Sequence, residues 1–227
     1  MEPATRAAWA QHVGASKAAA AALDALVARY AEPHRAYHGV DHLDQIVAGC
    51  LTLLGGPPGA AVADHGTVVL AAFFHDAVYD PSSATNETDS AELAEQELER
   101  LGVRAARRAE VARLVRATAP LAATVAGAGD DPAANVLLDA DLAVLGADAA
   151  AYARYVEQIR AEYAHLDDAS WRAGRCAVLR ALLARPALYR TEVFREREQR
   201  ARHNLGAELE ALSRGGSRPG VTERSVQ

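Results

Sequence analysis

What this chain has little of excludes more than its overall size does. Aromatic residues make up only 5 % of its 227 positions, and β-rich domains draw heavily on such residues. There are two cysteines, Cys50 and Cys176, each alone in an apolar stretch. They form neither a CxxC motif nor a disulfide framework, and both read as small buried hydrophobes. Basic residues are not in excess: 24 Lys and Arg face 30 Asp and Glu, a formal net charge of -6. No global basic field exists to draw nucleic acid, although a few local arginines could still hold a small phosphorylated molecule. No apolar run is long enough for a bilayer, and the first ten residues lack the basic-then-apolar pattern of a secretory signal. The expectation is a cytoplasmic protein without membrane association.

What is present is alanine and helical periodicity. Half of the residues are hydrophobic, and no convincing alternation of period two occurs, which predicts an all-α fold. Residues 5–30 read as one or two helices with Gly14 as a break. Residues 32–42 are polar and punctuated by Pro33 and Gly39, and a helix follows from Leu43 to the Gly55–Pro58 cluster. A strongly apolar helix is expected over 64–79. The next should start at Thr85 or Asn86 and run through Leu101, with Gly102 closing it. An arginine-rich helix over 103–118 presents Arg104, Arg107, Arg108, Arg113 and Arg116 as a solvated face. A loop is expected at 127–132, then helices over 136–146, 148–163, 170–183 and 191–212. Residues 1–212 form one helical domain, and 213–227, rich in Gly, Ser, Pro and Arg, read as a disordered tail.

Chemistry concentrates in a few places. The apolar run Leu70-Ala71-Ala72-Phe73-Phe74 ends in the adjacent pair His75-Asp76. An isolated imidazole and carboxylate are costly to bury, so either the pair is solvated at the helix end or something cationic holds it. Three of the eight histidines, His34, His38 and His42, fall four residues apart and would share one face of a helix. Such crowding favours a site over a structural role. Two acids, Asp139 and Asp141, interrupt another apolar helix and point about 200° apart at 100° per residue. One can pair internally while the other binds a metal.

His42, His75-Asp76 and Asp141 thus form an ordered set: H, HD, D. With this set the chain resembles the HD superfamily of metal-dependent phosphohydrolases. The likeness extends through Tyr37-His38, Phe74-His75-Asp76, Tyr79-Asp80-Pro81, Asn86-Glu87 and Leu138-Asp139-Ala140-Asp141-Leu142 to Ile159-Arg160-Ala161-Glu162-Tyr163, Gly174-Arg175, Tyr189-Arg190-Thr191 and Ala201-Arg202-His203-Asn204-Leu205, over roughly residues 5–212. It looks like an uncharacterised bacterial branch.

The resemblance implies a single HD-domain helical bundle in which His42, His75, Asp76 and Asp141 coordinate one divalent metal: Mn, Fe, Co, Ni or Mg. Asp141 is preferred to Asp139, and His42 to His38, because their contexts match the family's ligand positions. Some members hold two metals through extra histidines before the last Asp. None lies between Asp76 and His165 here, which points to a single metal. The implied activity is hydrolysis of a phosphoester of a small molecule, most plausibly a nucleotide. Acid–base candidates are His38, Asp80 and Glu87; substrate contacts are Arg35, Tyr37 and Arg175. A non-catalytic metal- or nucleotide-binding module and an HD-type oxygenase stand as alternatives, and a homodimer is left open.

Overall fold

The computed structural model describes residues 1–119 and 131–214. Residues 127–130 of the expected loop and 215–227 of the expected tail lie outside the described residues. Within them the chain is all-helical, with no strand. Eleven helices follow in order: α1 Pro3–Val13, α2 Lys17–Tyr30, α3 Val40–Leu54, α4 His65–Phe74, α5 Asn86–Arg100, α6 Ala105–Arg116, α7 Pro132–Asp141, α8 Ala149–Glu162, α9 Asp168–Leu183, α10 Glu192–Arg195 and α11 Glu198–Arg214. Short 3-10 turns cover Pro57–Ala61 and Leu142–Gly146. No helix among the described residues is long and apolar enough to cross a membrane.

Capping residues set many of the helix starts. Ser16 accepts from the Ala19 amide, Asp64 from Thr67, Asp131 from Ala133 and Ala134, Asp148 from Ala151, and Asp167 from Ala169 and Ser170. Each satisfies a donor that the first helical turn would leave free. Gly14 breaks α1 from α2 at φ 89°, a conformation that suits glycine.

The core is built around α4. Every residue from Gly66 to Phe74 is buried, and α1, α3, α5, α6 and α7 pack around it. A helix enclosed on all sides needs no polar face, which explains its uniformly apolar sequence. Trp9 of α1 meets the Phe73 ring edge-on at 5.1 Å and donates from Nε1 to Ala19 O. α3 also packs closely on α7: a Cβ at Gly49 would lie 3.1 Å from the Ala140 Cβ. Glycine there lets α3, which carries His42, approach α7, which carries Asp141.

The expected helix over 64–79 ends five residues early, at Phe74. The cause is tertiary. The last carbonyls of a helix lack intrahelical donors, and here other groups capture them. Tyr30 donates its hydroxyl to Phe73 O and accepts from the Asp76 amide. His75 Nδ1 reaches Ala72 O at 2.9 Å. Arg35 donates to Asp76 O at 2.6 Å and Ala77 O at 3.2 Å, its guanidinium lying near the rings of Tyr30 and Tyr79. The backbone turns at the His75-Asp76 pair and exposes the edge of Asp76.

Other boundaries differ as well, α3 starting at Val40 rather than Leu43 and α7 at Pro132 rather than 136. The helix expected over 191–212 is split into α10 and α11, because the Glu198 carboxylate accepts the Leu188 and Tyr189 amides and anchors the new helix start. It then runs on to Arg214. The helix expected over 136–146 tightens after Asp141 into the 3-10 turn.

Removing the Tyr30 hydroxyl should strand the buried carbonyl of Phe73 and the Asp76 amide. Tyr30→Phe is expected to destabilise the fold by about 1–3 kcal/mol, the range for an unsatisfied buried polar group, measured by urea denaturation.

Candidate metal centre

The arrangement around His75 starts with its tautomer. Because Nδ1–H donates to Ala72 O, the lone pair of a neutral ring is on Nε2. Metal-binding imidazoles are commonly oriented in this way, through a carbonyl on the other nitrogen. That Nε2 lies 3.0 Å from His42 Nε2 and 2.9 Å from Asp76 Oδ2. His42, in the first turn of α3, is 3.5 Å from Asp76 Oδ2 and 3.5 Å from Asp141 Oδ1. Asp141 Oδ1 is 3.8 Å from His75 Nε2. His42, His75 and Asp76 make the tight trio, and Asp141 closes on the two rings from the end of α7.

These spacings suit a metal ion. Ligand bonds of about 2.0–2.2 Å place neighbouring donors about 3 Å apart, close to the separations found. Two imidazole nitrogens 3.0 Å apart need a hydrogen or a metal between them, and the carboxylates of Asp76 and Asp141 beside them favour a positive charge there. Without a metal, a proton supplies it. His42 is pushed up to about 9: burial opposes its charge, but hydrogen bonding and proximity to Asp141 and Asp76 outweigh that. Burial likewise works against the Asp76 anion, yet the two imidazoles hold its carboxyl well below the usual range. Two nitrogens and two carboxylates favour Mn, Fe, Co or Ni over a closed structural zinc site.

Asp139 takes a different role from Asp141. It is fully buried and accepts from the Arg190 and Thr191 amides and from the Thr191 hydroxyl at 2.7 Å. It ties α7 to the segment before α10.

The other residues singled out from the sequence are scattered. His34, His38 and His42 do not share a helix face, since α3 begins only at Val40. His34 caps Tyr79 O instead. Two of the expected substrate contacts, Arg35 and Arg175, are buried and already partnered. Arg35 is 8 % exposed and is consumed by Glu32 and the carbonyls of His38, Asp76 and Ala77, so it shapes the ligand turn rather than meeting substrate. Arg175 is 7 % exposed and clamped between both oxygens of Glu208 and the Tyr155 hydroxyl. Tyr37 is buried against His42 and Tyr155, on the wall of a cleft. Asp80 is exposed and its carboxylate is taken by Ser82. Glu87 is half-buried in the first turn of α5. No hydrogen bond or ion pair among the described residues links either to the cluster.

The cleft has a volume of about 600 Å³, within the range of small-molecule sites, and His42 and Tyr37 are among the residues that line it. Its wall carries Arg154 of α8 and Arg197 of the α10–α11 turn. Both are exposed, and neither forms an ion pair among the described residues.

Glu162 was not foreseen as a site residue. Its buried carboxylate divides its work between its oxygens. Oε1 accepts the amides of Ala36, Tyr37 and His38 at 2.8–2.9 Å, while Oε2 accepts from His38 Nδ1 at 2.7 Å and the Tyr79 hydroxyl at 2.9 Å. Its position held a signal: Tyr152, Tyr155, Ile159 and Glu162 form the buried stripe of α8, so an acid occupies an apolar register. Burial works against its charge, but the bonds to His38 and the amides hold its carboxyl down to about 2.

No family model, curated protein or solved structure matches the chain.

Two outcomes follow for the metal ligands. Purified protein should carry about one divalent transition-metal ion per chain, lost in Asp76→Ala and Asp141→Asn. Asp139→Asn should keep the metal while melting earlier. Elemental analysis separates these, and metal retained in both His75→Ala and Asp76→Ala contradicts the assignment.

The Glu162 carboxyl has a folded pKa below its unfolded value of about 4.3, so its stabilisation is complete above that pH. It is lost as pH falls from there through about 2. Urea midpoints should therefore drop more steeply between mildly acidic and strongly acidic buffer in the wild type than in Glu162→Gln.

Proposed function

We propose that the chain is a metal-dependent phosphohydrolase acting on a small phosphorylated molecule, with nucleotides the favoured class. The observation that carries this reading is the donor cluster of His42, His75, Asp76 and Asp141 beside a cleft bearing two arginines that form no ion pair among the described residues. The HD order of the ligands and the all-helical frame support it.

His42, His75, Asp76 and Asp141 would hold one divalent ion, which when bound polarises a phosphoryl oxygen and lowers the pKa of a coordinated water. The protein residues contribute the rest. Arg154 and Arg197 offer guanidinium groups for phosphate oxygens, a pairing that is bidentate and charge-assisted. Arg197 is steadied against the Phe194 ring, 4.6 Å from its centroid. Tyr37 and Tyr155 give the cleft an aromatic wall, and Gln45 and Gln158 add donors and acceptors for a base or sugar. The cleft walls keep the phosphorylated substrate near a cluster whose carboxylates are partly open, Asp76 at 16 % and Asp141 at 24 %.

A panel of nucleoside mono-, di- and triphosphates, cyclic nucleotides and bis(p-nitrophenyl) phosphate, each with Mn, Fe, Co, Ni or Mg, tests the reading. Hydrolysis is expected with at least one pair and should vanish in Asp76→Ala. Arg154→Ala and Arg197→Ala should each raise KM about tenfold, the scale of one lost charged hydrogen bond, with metal content unchanged. A wild-type chain loaded with metal that hydrolyses none of the panel contradicts the proposal.

A further inference from the structure

Glu162 reaches two different groups with its two oxygens, and the division suggests a function beyond stapling the loop. Oε1 holds three successive backbone amides, and this part is structural. Oε2 holds only side chains, the His38 ring and the Tyr79 hydroxyl. These two rings are also stacked, their centroids 4.3 Å apart. The imidazole is thus fixed in position by a carboxylate, a ring face and the backbone on either side.

We propose that Glu162 is a positioning residue that sets the tautomer of His38, leaving its Nε2 as a hydrogen-bond acceptor beside the metal cluster. A carboxylate has no proton to give at neutral pH, so the bond at 2.7 Å requires that His38 Nδ1 carry the hydrogen. The lone pair of the neutral ring then belongs to Nε2. That atom makes no hydrogen bond to any described residue, and the ring is partly exposed, its side chain at 21 %. Its centroid lies 5.7 Å from that of His42. An acceptor so placed can orient an attacking water or a substrate hydroxyl. That use rests on the phosphohydrolase reading; the tautomer does not.

The two oxygens also supply the experiment. In Glu162→Gln the side-chain carbonyl can keep the three amides, while the amide nitrogen faces His38 and donates to Nδ1. The staple stays, and the tautomer of His38 inverts. Long-range ¹H–¹⁵N spectra of the metal-free full chain at mildly alkaline pH read this directly. Wild-type His38 is expected to show a protonated Nδ1 and an unprotonated Nε2, and Glu162→Gln the reverse. A wild-type ring with its proton on Nε2 overturns the proposal.

The kinetic arm uses bis(p-nitrophenyl) phosphate with Mn²⁺. Glu162→Gln should lose about 10²-fold in kcat with little change in KM, the scale reported for partners that orient a site histidine. An unchanged kcat overturns the proposal. Should Glu162→Gln fail to fold, His38→Asn replaces it: its amide still donates to Glu162 but it has nothing at the Nε2 position. It should melt like the wild type and show the same loss; full activity in it overturns the proposal. A wild type inert toward this probe and the nucleotide panel defeats the phosphohydrolase reading instead, and the spectra alone then decide the tautomer.

Discussion

The candidate centre depends on where one helix stops. α4 has the composition to continue, and nothing in 75–79 resembles a helix breaker. It ends because Tyr30 and Arg35, arriving from α2 and the loop after it, take over hydrogen bonds that another helical turn would have used. Each such bond contributes on the order of 1 kcal/mol net, but leaving the same groups buried and unpaired would cost more. Several acting on one short segment are enough to hold a turn against helix propensity, which differs among ordinary residues by less than about 0.7 kcal/mol each. The turn gives His75 the carbonyl that fixes its tautomer and lets Asp76 swing alongside it.

The cluster that results is rich in lone pairs and negative charge and favours a cation. Two imidazoles meet nitrogen to nitrogen between two carboxylates, and His42 is almost fully buried. A proton can fill the gap, at the cost of holding an imidazolium in the interior. A divalent ion held by all four groups would displace that proton, so metal binding would be coupled to proton release. The same electrostatics explain why His42 and Asp76 move in opposite directions from their ordinary values.

Much of this was legible in the residues, and the failures share a cause. The all-apolar α4, the capping Asp and Ser residues and the ordered histidines and aspartates can be read locally, because each acts through its own helix. What could not be read locally was the tertiary capture of α4, which depends on residues more than 40 positions away. Arg35 and Arg175 look like phosphate ligands by residue type, yet both are buried. Arg175 lies in register with Trp171, Leu179 and Leu182 on the inner stripe of α9, and its partner Glu208 lies in register with Ala201 and Leu205 on that of α11. Charges on facing apolar stripes pair with each other. The same rule marks Glu162 on α8. Arg154 and Arg197 carry no such mark; only the folded cleft distinguishes them from other exposed arginines.

The buried charges therefore sort by what they face. Arg175 and Glu208 lock α9 to α11, and Asp139 holds the segment before α10 to the helix that carries Asp141. Together they steady the segment before α10 relative to the candidate donors, which lie two residues from Asp139 on one side and on α3 and in the turn after α4 on the other. Breaking a buried pair by removing one partner leaves an uncompensated charge and costs several kcal/mol, far more than loss of an exposed pair. Rigid placement of the wall would make the proposed phosphate contact from Arg154 or Arg197 geometrically useful, since a guanidinium on a loose helix would spend its binding energy on ordering itself. The buried charged pairs would in this way determine how well the exposed arginines could serve the proposed substrate.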